Sequence, residues 1–124
     1  MRLFTVEEAN ELLPTISGKL ERIRSQYSRL ATYREQAKAA AGSSEYGGGM
    51  EGGTHYVKVL YDVGKITTEL HDLGVQLKDY SRGLIDFPAE RDGRVVLLCW
   101  QLGEPETIEW WHEVEAGFDG RQPL

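Results

Sequence analysis

Asp86, Glu104 and His112 are the residues whose types and spacing admit metal chemistry. Asp86 interrupts the apolar run Leu84-Ile85-Asp86-Phe87, and a carboxylate on a buried strand face needs a partner. Glu104 follows the next apolar run at a turn, and His112 lies a few residues further on. Two carboxylates and one imidazole suit a divalent metal, which makes these three the candidate ligands and a divalent metal the candidate cofactor. The competing reading is structural: Asp86 caps or pairs with Arg94 or Arg121, Glu104 starts a helix, and His112 hydrogen-bonds among the tryptophans.

Other matches to known chemistry are partial. Glu109-x-x-His112 has the spacing of di-iron carboxylate bundles, but those sites need two such pairs on long helices. His112-Glu113 opens a zincin motif that Ala116 fails to complete. His55 reads as an exposed helix-start side chain. His71 stands between Leu70 and Asp72, and its sequence neighbours point to other faces of a helix. Cys99, between Leu98 and Trp100, reads as a small inert hydrophobe rather than a nucleophile. Gly47-x-Gly49-x-x-Gly52 follows a helical pattern rather than a strand, so it reads as connector and not as a dinucleotide fingerprint. No catalytic motif is complete, so whether the chain is an enzyme stays open and no catalytic residue is assigned.

The elements that position these residues are read from periodicity. Thr5-Val6-Glu7-Glu8 forms a capping box. Apolar residues from Val6 through Leu13, Leu20 and Leu30 to Ala41 then recur at alternating gaps of three and four, the pattern of a helix packed lengthwise on another. Pro14 lacks an N–H, which predicts a kink or break near Leu13 and a long helix from there to about Ala41. Residues 42–53 hold six glycines in twelve positions and read as a flexible connector. A second helix over about 54–74 carries Tyr56, Val59, Val63, Ile66, Leu70 and Leu73. Beside that seam lie Val57, Leu60 and Tyr61, a stripe wider than one helix contact needs.

Gly74 suits a helix end, and Val75 and Leu77 alternate with polar neighbours as in a short strand. Two apolar runs flank Asp92-Gly93, which predicts a β-hairpin over about 84–101. A two- or four-residue loop there puts Asp86 on one face with Val95, Leu97 and Cys99. Pro105 to Ala116 reads as a short helix with Ile108, Trp111 and Val114 on one side, and the residues after Gly117 read as irregular.

Composition narrows the classes. The chain has 124 residues and a net charge of −6, which suits one domain and opposes nucleic-acid or anionic-membrane binding. One cysteine excludes an internal disulfide, and no run approaches the length of a membrane span. With no apolar secretion core at the start, a cytoplasmic protein is expected. Residues 19–38 carry six basic residues against Glu21 and Glu35, while residues 101–124 carry six acidic residues against Arg121. That asymmetry reads either as solvated faces or as complementary docking surfaces.

As an ordered set, several segments resemble a bacterial family of uncharacterised function. They are Phe4 through Pro14, Gly83-Leu-Ile-Asp-Phe-Pro88, Gly93 through Trp100, Gly103-Glu104, Trp111-His112, and Gly117 through Pro123. The resemblance implies a long helical hairpin followed by a small β element and supplies no reaction or ligand. The expected fold is α+β: an antiparallel helical hairpin, a small antiparallel sheet and a short C-terminal helix in one domain. The expected function is a self-associating structural or interaction module, a homodimer whose hairpins form a four-helix bundle. The alternative is a divalent-metal protein, with hydrolysis as its candidate reaction, using Asp86, Glu104 and His112.

Overall fold

The computed structural model describes residues 1–43 and 53–124. The glycine-rich motif at Gly47-x-Gly49-x-x-Gly52 and most of the 42–53 connector lie outside the described residues. Helix α1 runs Val6–Ser43 and α2 runs Gly53–Asp72, and an antiparallel meander follows. Its strands are β1 (Gln76–Asp79), β2 (Leu84–Arg91), β3 (Arg94–Gln101), β4 (Trp110–Glu113) and β5 (Gln122–Pro123), in sheet order β1-β2-β3-β4-β5.

The start of α1 is built as its sequence dictates. The Glu8 amide donates to Thr5 Oγ1 at 3.1 Å, and the Thr5 amide donates to Glu8 Oε1 at 2.9 Å. Those reciprocal bonds hold the Glu8 carboxyl below the usual carboxylate range. Contrary to expectation, α1 passes through Pro14 without a break. Proline removes one hydrogen bond, but Ala9, Leu13, Ile16 and Leu20 on either side are fully buried, and their packing offsets that loss.

Helix α2 ends in the geometry its Gly74 suggests. Val75 N–H donates to the Leu70 carbonyl at 3.0 Å and Gly74 N–H to that of His71 at 2.9 Å, with Gly74 at φ 91°. This is a Schellman motif, and its apolar partners Leu70 and Val75 are both buried. The chain then enters β1, the short strand expected there.

Charge pairs along the hairpin are local. Lys19 pairs with Glu69, and Arg22 Nη2 lies 2.9 Å from Asp62, which also accepts from Gln26 at 2.7 Å. The acidic C-terminal region pairs with Arg94 and Arg121 instead. Within the chain, Lys19 and Arg22 of the basic stretch pair with α2, while Arg24, Arg29, Arg34 and Lys38 are exposed.

The β2–β3 hairpin closes through Asp92 and Gly93, both at positive φ (53° and 78°). That is the two-residue turn whose twist matches the strands. It pairs Arg91 with Arg94 and, further down, Phe87 with Leu98 and Asp86 with Cys99. One sheet face carries Ile85, Phe87, Ala89, Val96, Leu98, Trp100 and Trp111, which join the helices in a single apolar core. Phe4 meets Phe87 there edge to face, with ring centroids 5.2 Å apart.

The expected C-terminal helix at 105–116 is not formed. Residues 110–113 are strand β4, paired with β3 through Val96–Glu113, Leu97–His112, Leu98–Trp111 and Cys99–Trp110. An isolated helix of that length is marginal. The free edge of β3 offers a ladder, and Trp110-Trp111-His112-Glu113 alternates between the two sheet faces. Trp111 goes to the helix side and His112 to the other. Residues 117–124, expected to be irregular, contain a 3₁₀ turn at Phe118–Gly120 and the edge strand β5.

Candidate functional site

The sheet face turned away from the helices is also buried. Leu84, Asp86, Pro88, Leu97, Cys99 and His112 all lie there with little solvent contact and outside the main core. Asp86 and His112 are the buried ionisable pair of this face, each 2% exposed. They come from β2 and β4, with Cys99 of β3 between them.

The register places them. Asp86 faces Cys99 across the hairpin, and His112 faces Leu97, two residues along the same face from Cys99. His112 Nε2 lies 3.0 Å from Asp86 Oδ1. His112 Nδ1 lies 2.7 Å from the Glu113 carbonyl oxygen, an acceptor only, so Nδ1 carries the hydrogen. The Nε2–Oδ1 contact then holds one proton, which makes the pair neutral overall whichever atom keeps it.

Cys99 completes the group. One ligand atom each from Asp86, Cys99 and His112 lies within 4.8 Å of the others. Burial pushes the Cys99 thiol up to about 12, the Asp86 charge adds to the shift, and Arg121 opposes it. A thiol held protonated in this way is a poor nucleophile at neutral pH, in line with its reading as inert.

Glu104 stands elsewhere. Its Oε1 accepts from the Gln101 amide at 2.8 Å and from Arg121 Nη1 at 3.0 Å, while Oε2 accepts from Arg121 Nη2 at 2.7 Å. This bidentate pair uses both carboxylate oxygens. Arg121 reaches back to Cys99, with Nη1 3.9 Å from Sγ, and stacks on Trp110 and Phe118 at 4.8 and 4.3 Å from the ring centroids. Glu104 thus meets the cluster through Arg121, while Asp86 and His112 meet directly. Arg94 takes Glu113 as its partner, Nε lying 3.1 Å from the carboxylate, and the contact holds the Glu113 carboxyl below its ordinary range.

Sequence reasoning brought Asp86 and His112 forward and passed over Cys99 and Arg121 as members of the same site. The signal for Cys99 was the hairpin parity that puts it on the Asp86 face. Glu109 and His112 do not form a helical pair, because both precede or lie within the β4 segment. His55 and His71 are exposed on α2 and have no part in the cluster.

The group brings together one carboxylate oxygen, one imidazole nitrogen and one sulfur, donor types that divalent cations accept. No helix among the described residues is long and apolar enough to cross a membrane. No curated protein and no solved structure matches the chain. A family model described as uncharacterized conserved protein matches residues 2–124, and the chain belongs to that family, DUF2203.

Proposed function

We propose that the protein is a self-associating helical module whose partner is a second copy of the same chain. The observation that supports this is the outer face of α2. Val57, Leu60 and Tyr61 are 62%, 48% and 71% exposed, on the side opposite the buried seam of Val59, Val63, Ile66 and Leu70. Gly64 continues this row, and a Cβ placed there would meet nothing within 4 Å.

The row is self-complementary under an antiparallel two-fold crossing centred between Leu60 and Tyr61. Val57 then faces Gly64 of the second copy, and Leu60 faces its Tyr61, so large side chains sit opposite small or offset ones. Because the buried seam is already used against α1 and the sheet, the four helices lie in a row. They do not close into the four-helix bundle around a shared core that the periodicity suggested, and one chain supplies two helices among the described residues.

Light scattering at micromolar concentration is expected to give about twice the 14.0 kDa chain mass. Leu60→Asp and Tyr61→Asp, being exposed in the single chain, are expected to release monomer with helicity unchanged. Wild type that scatters as a folded monomer overturns the proposal, as does a Leu60→Asp, Tyr61→Asp double variant that stays dimeric.

A further inference from the structure

We propose that Asp86, Cys99 and His112 form a binding site for a zinc-class divalent cation. The donor types carry the first step. A hard carboxylate oxygen, a borderline imidazole nitrogen and a soft thiolate on one centre select zinc and its neighbours over magnesium or calcium, which favour all-oxygen shells.

Geometry carries the second. Two light ligands at tetrahedral positions on zinc are about 3.3 Å apart, from metal–ligand distances of about 2.0–2.1 Å. The Nε2–Oδ1 separation of 3.0 Å therefore needs to open by a few tenths of an ångström to admit the ion. The sulfur, within 4.8 Å of both, has at most about an ångström to close along the same face, given a metal–sulfur distance of about 2.3 Å.

The surrounding hydrogen bonds point the same way. A metal-binding histidine commonly donates its second ring nitrogen to a backbone carbonyl, which fixes the tautomer and aims the other nitrogen at the ion. His112 does this, with Nδ1 on the Glu113 carbonyl and Nε2 turned towards Asp86. Arg121, clamped by Glu104, places a cation 3.9 Å from Sγ, where it favours the thiolate that coordination requires.

Charge also balances. Binding displaces the proton shared by Asp86 and His112 and the proton of the Cys99 thiol. A neutral imidazole, a carboxylate and a thiolate then offset the two charges of the cation. Three protein donors leave the fourth tetrahedral position to water or another small ligand.

The test uses the full chain, stripped with a chelator and titrated with Zn²⁺ against a chromophoric competitor, and in parallel with Co²⁺. One equivalent is expected to bind, and the cobalt form is expected to show thiolate-to-metal charge-transfer absorption. Cys99→Ser is expected to remove that absorption, and both Cys99→Ser and His112→Ala to weaken binding by at least about tenfold, as even outer-shell changes do. Glu104→Gln, which loosens the clamp on Arg121 and removes no ligand, is expected to weaken binding less than Cys99→Ser and to keep the cobalt band.

Stripped wild type that takes up neither ion overturns the site and leaves a hydrogen-bonded structural trio. Uptake without the thiolate band, or uptake lost in Glu104→Gln and kept in Cys99→Ser, assigns the metal to a carboxylate set and removes Cys99 as a ligand. The wild-type cobalt spectrum decides between these even where a variant fails to fold.

Discussion

Replacing His112 with alanine tests the buried pair without any metal present. His112 and Asp86 are each 2% exposed, and their 3.0 Å contact is the polar link across β3. Removing the imidazole leaves Asp86 buried without that partner and empties a fully buried volume. Breaking one side of a buried pair costs about 3–5 kcal/mol. Total stabilities of small domains are about 5–15 kcal/mol, so the loss is a large share of the whole. Asp86→Asn behaves differently. With Nδ1 protonated on the Glu113 carbonyl, Nε2 is free to accept from the asparagine amide, and a near-isosteric swap that keeps the hydrogen bond costs about 1 kcal/mol. Urea unfolding followed by circular dichroism, in chelator at neutral pH, reads both. With a slope of about 2 kcal/mol per molar, His112→Ala is expected to lower the midpoint by about 2 M and Asp86→Asn by about 0.5 M. Equal losses in the two variants would refute the proton assignment. A His112→Ala shift under about 0.5 M would refute the claim that the pair is a buried unit.

Two further outcomes follow from the backbone and from charge. Gly83 sits at φ 61° with its Cβ direction 2.5–3.1 Å from three side-chain carbons of buried Leu102, so Gly83→Ala is expected to cost about 1–3 kcal/mol in thermal unfolding; an unchanged melting temperature would show that the Leu102 loop gives way freely. Hydrogen bonds from Gln26 and Arg22 hold the Asp62 carboxyl below its usual value. The stability this adds is present above the unfolded-state value of about 3.9 and is lost as pH falls through the lower folded-state value. Asp62→Asn is therefore expected to flatten the decline of stability below about pH 4, and an acid limb identical to wild type would count against the assignment.

Much of the fold was legible because its signals are local. Thr5 and Glu8 are three residues apart and bond each other. Gly74 ends α2 through bonds confined to residues 70–75. Asp92-Gly93 dictates its own turn and, through it, the whole β2–β3 register. The failures are tertiary. Pro14 costs one local bond, which the burial of Leu13 and Ile16 outweighs. The four residues of β4 give only two alternations, too few to be told from a helical turn, and the edge of β3 that receives them cannot be seen from that segment alone. Val63 and Ile66 share the three–four spacing that suggested a pairing surface between chains, yet both are buried within one chain. Spacing alone does not say which neighbour fills it.

The candidate site follows the same division. Asp86 and Cys99 are joined by the hairpin, whose turn sets their parity, so their meeting is already implicit in residues 84–101. His112 arrives by a different route. Its place depends on β4 pairing Leu97 with His112, and a slip of one residue would turn the imidazole to the helix side and bring Trp111 to Asp86. The loop before β4 holds that register from both ends. Trp100 Nε1 donates to the Pro105 carbonyl at 2.8 Å, and the Ile108 amide donates to Asn10 Oδ1 of α1 at 2.7 Å. Those two bonds tie the loop to the helix side of the sheet, so the register that aims the histidine rests in part on a contact between Asn10 of α1 and Ile108, 98 residues apart in sequence. Cys99 was read from its apolar neighbours Leu98 and Trp100, which face the other way. On a strand the residues that matter to a side chain are two positions along and one strand across, and by that measure the neighbours of Cys99 are Asp86, Leu97 and Trp110, with His112 and Arg121 completing its surroundings.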